Sequence, residues 1–282
     1  MLLIFPVIVY YALFHYLPMY GVTIAFKEYR ILDGIMGSPW IGFENFRKLF
    51  AGNFFPRAIR NTVILSAMGL AVFPVPIIFA LLINEVRHLR YKKFVQSVSY
   101  LPSFMSWAVL GAMFINLLSS SRGVLAFTGL DFLSDPETFR FTLVLTGLWM
   151  YVGWDSIIYL AAITGVDPGL YESAKLDGAN RLQMMWYITI PSVLPVISII
   201  FILNIGRILN SNRDQILVMQ NPITYATSDT LDVYAYKVAL RDTFNYSFGA
   251  AVDLFKNVIG CILLVIVNTV ARKTGDGENA LF

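Results

Sequence analysis

Apolar residues run along the chain in six blocks, at about 1–26, 58–82, 94–118, 139–164, 190–209 and 250–271, with polar stretches between them. Each block holds roughly 20 residues or more, enough for a helix to cross a hydrocarbon layer of about 30 Å. The pattern predicts an all-α polytopic membrane protein of about six transmembrane helices, forming one domain over residues 1–282. An even number of spans places both termini on one side.

The first block closes with the helix-loosening run Leu17-Pro18-Met19-Tyr20-Gly21. It has neither a basic leading region nor an A-x-A cleavage site, which argues for a spanning helix over a signal peptide. Because the chain begins inside this block, a basic cytoplasmic tail ahead of it is expected to be missing or very short.

Composition sharpens the picture. The chain is 57% hydrophobic and 14% charged, with a mean hydropathy of +0.65, whereas a soluble domain is about a quarter charged. The net charge is +3, but the basic residues are scattered among loops, which suits membrane topology and not nucleic acid. Cys261 is the lone cysteine and His15 and His88 the only histidines. No disulfide framework or metal site is expected from them.

Short basic connections set the orientation. Arg87-His88-Leu89-Arg90-Tyr91-Lys92-Lys93 joins the second and third blocks, Lys175 and Arg181 lie between the fourth and fifth, and Arg272-Lys273 follows the sixth. Positive charge marks the cytoplasmic side, so both termini are expected there. The long first loop also carries Lys27, Arg30, Arg47, Lys48, Arg57 and Arg60, and long loops follow the rule less strictly. The two other outer segments, about 119–138 and 211–246, are rich in turn formers.

The most patterned connection is cytoplasmic, at about 165–190. It reads Gly169-Leu170-Tyr171-Glu172-Ser173-Ala174-Lys175-Leu176-Asp177-Gly178-Ala179-Asn180-Arg181, then Trp186-Tyr187-Ile188-Thr189-Ile190-Pro191. Asp167-Pro168-Gly169 breaks the preceding helix, Pro168 suits a first turn, and Gly178 lets a short amphipathic helix stop. Tyr171, Ala174 and Leu176 offer apolar contacts, and Glu172 and Asp177 offer charge, as a helix docking into another protein's groove requires.

Glu172-Ser173-Ala174, three residues, Gly178, nine residues, then Ile188-Thr189-Ile190-Pro191 resembles the EAA loop of ABC importer permeases. That pattern reads E-A-A, three residues, G, nine residues, I-x-L-P. Ser173 and Ile190 depart from it by small changes in volume, and the spacing is intact. Leu17-Pro18-Met19-Tyr20-Gly21, Gly42-Phe43-Glu44-Asn45-Phe46, Asn61-Thr62, Tyr100-Leu101-Pro102, Gln220-Asn221-Pro222 and Leu231-Asp232-Val233-Tyr234-Ala235-Tyr236 look like the carbohydrate branch, which includes importers of alginate and other oligosaccharides.

The resemblance implies a type I importer permease fold with no enzymatic activity of its own. Tyr171, Glu172, Ser173, Ala174, Leu176, Asp177, Gly178 and Ala179 would form the coupling helix that meets the ATPase. The implied partners are a second homologous permease subunit, two ATP-binding cassette ATPase subunits and an extracytoplasmic solute-binding protein. The cargo would be an oligosaccharide, with an acidic one suggested by the basic outer loops. ATP and Mg would sit on the ATPase, and no cofactor on this chain. The chain has no G-x-x-x-x-G-K-[ST] loop, so ATP hydrolysis of the usual P-loop kind must come from elsewhere.

Ionisable residues at membrane depth are expensive and draw attention by default. Asp253 and Lys256, three apart, are expected to form a local ion pair. Asp155 either pairs with Arg207 or, with Trp154, Tyr159, Asn204, Arg207 and Asn210, lines a translocation pathway. Spacing alone does not choose between these. Arg213 and Asp214, with Asn212, form a polar run at the outer end of the fifth block. An ion-coupled secondary transporter using Asp155 or Asp253 is the alternative class, but its usual inverted repeats are not visible. A membrane enzyme would want clustered carboxylates or histidines, whereas the acids here are dispersed.

Overall fold

A computed structural model describes residues 4–274 and residue 281. Among the described residues every regular element is helical, apart from one isolated antiparallel bridge between Lys27 and Trp40. Among the described residues five helices are long and apolar enough to cross a membrane: Phe5–Phe26, Phe55–Glu85, Pro136–Thr164, Arg181–Gly206 and Tyr246–Lys273. A sixth span is formed if Leu89–Phe104 and Trp107–Leu117 are taken together, but this pair is bent by 104°.

The spanning helix expected over 94–118 is interrupted at this bend. Pro102 lacks an N–H donor and constrains the residue before it. The chain then passes through a short 3-10 turn, Leu101–Phe104, and leaves the helical region at Met105 and Ser106, with ψ of 147° and 151°. The Ser106 carbonyl starts the next helix by accepting the Val109 and Leu110 amides at 3.1 Å. Proline also shapes the second span: Phe55–Ala71 and Pro74–Glu85 meet at a turn where Pro74 opens the new helix.

The remaining long helices carry ordinary end signals. Asp135 caps Pro136–Thr164 by accepting the Thr138 amide at 3.0 Å, with Glu137 in the first turn. Arg272 and Lys273 lie in the last turn of Tyr246–Thr274, where positive charge opposes the helix dipole. The Thr138 side chain also hydrogen-bonds Asp135, and these bonds hold the half-buried carboxyl below its ordinary range.

The chain packs as two compact units. The first comprises residues 1–62, 209–211 and 229–259. Its core is Leu49, Phe55, Ala58, Leu231, Ala235, Phe248 and Val252, edged by Ile59, Tyr234, Val238 and Phe255. Polar bonds knit the same elements: Leu231 N donates to Thr62 Oγ1 at 2.9 Å, and Asn61 Nδ2 donates to the Asp229 carbonyl at 3.1 Å.

The second unit comprises residues 63–208, 212–228 and 260–282. Ala80, Leu81, Ile83, Tyr159, Leu160, Ile163 and Val193 form its core. Lipid removes most of the hydrophobic incentive for helices to associate, so close backbone approach at small residues matters more. Gly153 shows this: a Cβ there would stand 2.2 Å from the Ser99 carbonyl oxygen. Likewise, a Cβ on Gly260 would stand 2.4 Å from the Gly206 carbonyl, and one on Gly111 2.4 Å from Val218.

Candidate functional site

The patterned loop folds into a short helix, Pro168–Leu176, with both ends closed by its own sequence. Asp167 Oδ1 accepts the Gly169 amide at 2.9 Å, and Pro168 supplies the first turn. At the other end the Ala179 amide reaches back to the Ala174 carbonyl at 2.9 Å and the Gly178 amide to the Lys175 carbonyl at 3.1 Å. This is a Schellman stop, and its left-handed residue is Gly178, φ +82°.

The next helix begins at once. Asn180 Oδ1 accepts the Gln183 amide at 2.9 Å, while Gln183 Oε1 accepts the Asn180 amide at 2.8 Å, a reciprocal capping box. Few backbone groups in this junction are left to compete for water, so the short helix is held at a defined angle.

One side-chain contact anchors the short helix itself, and a second ties the helix that follows it to the second span. The Tyr171 and Thr189 hydroxyls are hydrogen-bonded at 2.9 Å, and Thr189 is buried. Arg181 meets Glu85, at the end of the second span, at 3.1 Å. Thr189 belongs to a π turn, Met185–Thr189, inside the fifth span. Pro191 stands two residues beyond Thr189, and its missing N–H and ring clash favour a widened turn ahead of it.

Glu172, Ser173, Leu176, Asp177 and Gly178 are exposed, while Tyr171, Ala174 and Ala179 are half-buried. Leu176 is 90% exposed. A large apolar side chain left uncovered on a helix capped at both ends offers a contact surface, and Leu170, exposed on the same helix, adds to it.

The polar residues at membrane depth separate into three situations. Trp154 and Asp155 are exposed on Pro136–Thr164, with the Trp154 ring edge-on to Phe104 at 5.7 Å. Among the described residues no ion pair joins Asp155 to Arg207; Arg207 is exposed just past the end of Ile190–Gly206. Asn204 is exposed and donates to the Ile200 carbonyl at 2.9 Å, one turn back. Asn210, in the first unit, is also exposed. Tyr159 differs: it is 2% exposed and packed in the core of the second unit, which removes it from the surface expected for it. At the end of the fifth block, Arg213 pairs with its neighbour Asp214 at 3.3 Å, and Asn212 caps Arg213–Met219.

Asp253 and Lys256 lie 3.0 Å apart. Lys256 is almost fully buried and has a second, closer partner, Asp232, which also accepts the Ser211 backbone amide and, at 3.0 Å, its hydroxyl. Beside it, Asp229 holds Lys237 at 2.6 Å and Arg57 at 3.7 Å. Asp229 is not singled out in the sequence, and Asp232 enters only within the segment Leu231–Tyr236, with no partner assigned to it. Both lie in a segment read as outer loop, and the separation of 24 residues between Asp232 and Lys256 carries no helical signature.

Five apolar helices of spanning length, a sharply bent helix pair between the second and third of them, and a capped short helix ahead of Arg181–Gly206 make up the fold of a permease of the type I ABC importer class. The chain belongs to the family of binding-protein-dependent transport system inner membrane components, whose model matches residues 73–272. It is thus a multi-pass inner-membrane protein. It is 41% identical over 283 residues to the polygalacturonan/rhamnogalacturonan transport system permease protein YteP of Bacillus subtilis, covering 98% of this chain and 88% of that protein. Protein LplB of the same organism is 39% identical over 280 residues, covering 96% and 88%. Among solved structures, a bacterial ABC transporter that imports the acidic polysaccharide alginate contains a chain 37% identical, with a TM-score of 0.85, covering 96% of this chain and 93% of that one. The alginate transporter in complex with an alginate pentasaccharide-bound periplasmic protein gives 36% identity and a TM-score of 0.86, covering 99% and 95%.

Proposed function

We propose that this chain, paired with a second homologous permease subunit, forms the pathway by which an oligosaccharide enters the cell, and that Pro168–Leu176 is its coupling helix. The observation that carries the coupling reading is the exposed surface of Glu172 and Leu176 on a helix closed at both ends and tied to the fifth span through Tyr171 and Thr189. A separate pair of ATPase subunits would grip that surface and supply ATP and Mg chemistry, while an extracytoplasmic solute-binding protein would deliver cargo at the opposite face. Both termini would then be cytoplasmic.

An acidic cargo is supported by the relatives, two of which are described by the acidic polymers polygalacturonan and alginate. Trp154, Asp155, Asn204, Arg207 and Asn210 are the pathway candidates. An uncovered carboxylate or guanidinium facing lipid is costly, so their exposure in this chain favours positions that face water, cargo or the second permease.

The test is ATP hydrolysis and uptake by the reconstituted importer with loaded solute-binding protein. Gly178→Asp, at φ +82°, forces a side chain into a left-handed position and disturbs the Schellman stop. Glu172→Lys inverts an exposed charge. Both variants are expected to insert but to lose receptor-stimulated hydrolysis and uptake. Full stimulation in both would remove the coupling assignment.

A further inference from the structure

The connection between the second and third spans carries more charge than orientation requires. Arg87, Arg90, Lys92 and Lys93 fall within seven residues, with His88 among them and no carboxylate. Among the described residues none of the four makes an ion pair, and only Lys92 is even half-buried. The carboxylate just before them, Glu85, is engaged by Arg181.

The apolar neighbours are as exposed as the charges. Leu89 is 72% exposed, Tyr91 58% and Phe94 65%, all on the first turns of Leu89–Tyr100. The segment lies where one candidate span ends and the next begins. Cations interleaved with outward leucine and aromatic rings at that depth match a layer with phosphate above and acyl chain below. A protein groove would satisfy the apolar rings but would need a dense set of acids to match four adjacent cations.

We infer that Arg87–Phe94 is a binding site for anionic phospholipid, with the headgroup phosphates held by Arg87, Arg90, Lys92 and Lys93 and the acyl boundary met by Leu89, Tyr91 and Phe94. The inference rests on membrane insertion and not on the coupling reading. Each basic side chain near an anionic surface strengthens binding about fivefold. Four of them acting together make a preference for anionic over zwitterionic lipid of at least about tenfold even when shared between neighbouring headgroups.

The experiment uses the assembled transporter in nanodiscs of phosphatidylcholine doped with spin-labelled phosphatidylglycerol or, separately, spin-labelled phosphatidylcholine. The intact protein should immobilise the anionic probe at least about tenfold more strongly than the zwitterionic one, and raised salt should release it. The variant Arg87→Gln/Arg90→Gln/Lys92→Gln/Lys93→Gln should lose most of that preference, and inorganic phosphate should compete weakly because it has no acyl chain. Equal retention of both probes by the intact protein, or indifference to salt, overturns the inference without any variant. An unchanged preference in the quadruple variant, or displacement by inorganic phosphate at low concentration, overturns it too. Loss of the preference in Leu89→Ser/Phe94→Ser, which keeps every positive charge, would support the acyl contact, and a separate normal result for Gly178→Asp leaves this site untouched.

Discussion

Asp232→Asn isolates the one nearly buried cation in the sixth span. Lys256 is 5% exposed, Asp232 16% and Asp253 59%. Removing one partner of a buried ion pair costs about 3–5 kcal/mol, because the other charge is left without compensation. Asp253 remains 3.0 Å from Lys256, so the loss should fall at the lower end, about 3 kcal/mol. Asparagine keeps an oxygen for the Ser211 amide, so that contact need not be lost. Adding Lys256→Met removes the stranded charge and should restore stability to within about 1 kcal/mol of the intact protein, since a buried pair is often replaceable by apolar side chains. Asp253→Asn, at a far more exposed position and with Asp232 still holding Lys256, should cost no more than about 1 kcal/mol. The assay is unfolding of the detergent-solubilised protein by sodium dodecyl sulfate, followed by far-UV circular dichroism. A single-variant loss under about 0.5 kcal/mol, or a double variant no more stable than the single one, would refute the reasoning.

Gly153→Ala places a methyl 2.2 Å from the Ser99 carbonyl oxygen, and should destabilise by about 1–3 kcal/mol in the same assay, with Gly153→Val worse. Tyr171→Phe and Thr189→Val should each cost about 0.5–1.5 kcal/mol, with Thr189→Val the larger because it also loses the bond to the Met184 carbonyl, and the double variant should cost less than their sum because both remove the Tyr171–Thr189 bond. For Asp135, the hydroxyl and amide of Thr138 depress the folded-state carboxyl below its unfolded value. Its contribution is therefore fully present above the unfolded pKa of about 3.9 and is lost as the pH falls through the lower folded value. Melting temperatures taken from about pH 5 downward should show a decline that Asp135→Asn, which keeps the cap but cannot titrate, reduces.

Length and apolarity made the long spans legible, because a helix that must hide its backbone in lipid needs an unbroken apolar run. The capped short helix was legible for a similar reason: Asp167, Pro168 and Gly178 act locally, within a turn of where they stand. The 104° break at Met105 and Ser106 was harder to read, since a proline after leucine marks a weak point but does not say how far the chain will turn. Tyr159 and Asp155 share one helix, yet one is packed in a core and the other is exposed. A helix that is apolar nearly all round gives little periodic signal to tell those faces apart. The pairing of Asp232 with Lys256 stayed hidden because the two are distant in sequence, and only Asp253, one turn from Lys256, could be matched by spacing.

The π turn at Met185–Thr189 makes the fifth span one residue richer than its side-chain directions suggest. In an α-helix each residue advances the face by about 100°, so a deletion normally rotates everything beyond it by that amount. Here the surplus residue is already looped into the ladder, and removing one position between 185 and 189 would let the turn relax to α geometry with both flanks keeping their phase. The junction beside Pro191 is thus a place where the chain can change length by one while the faces it presents on either side stay as they are.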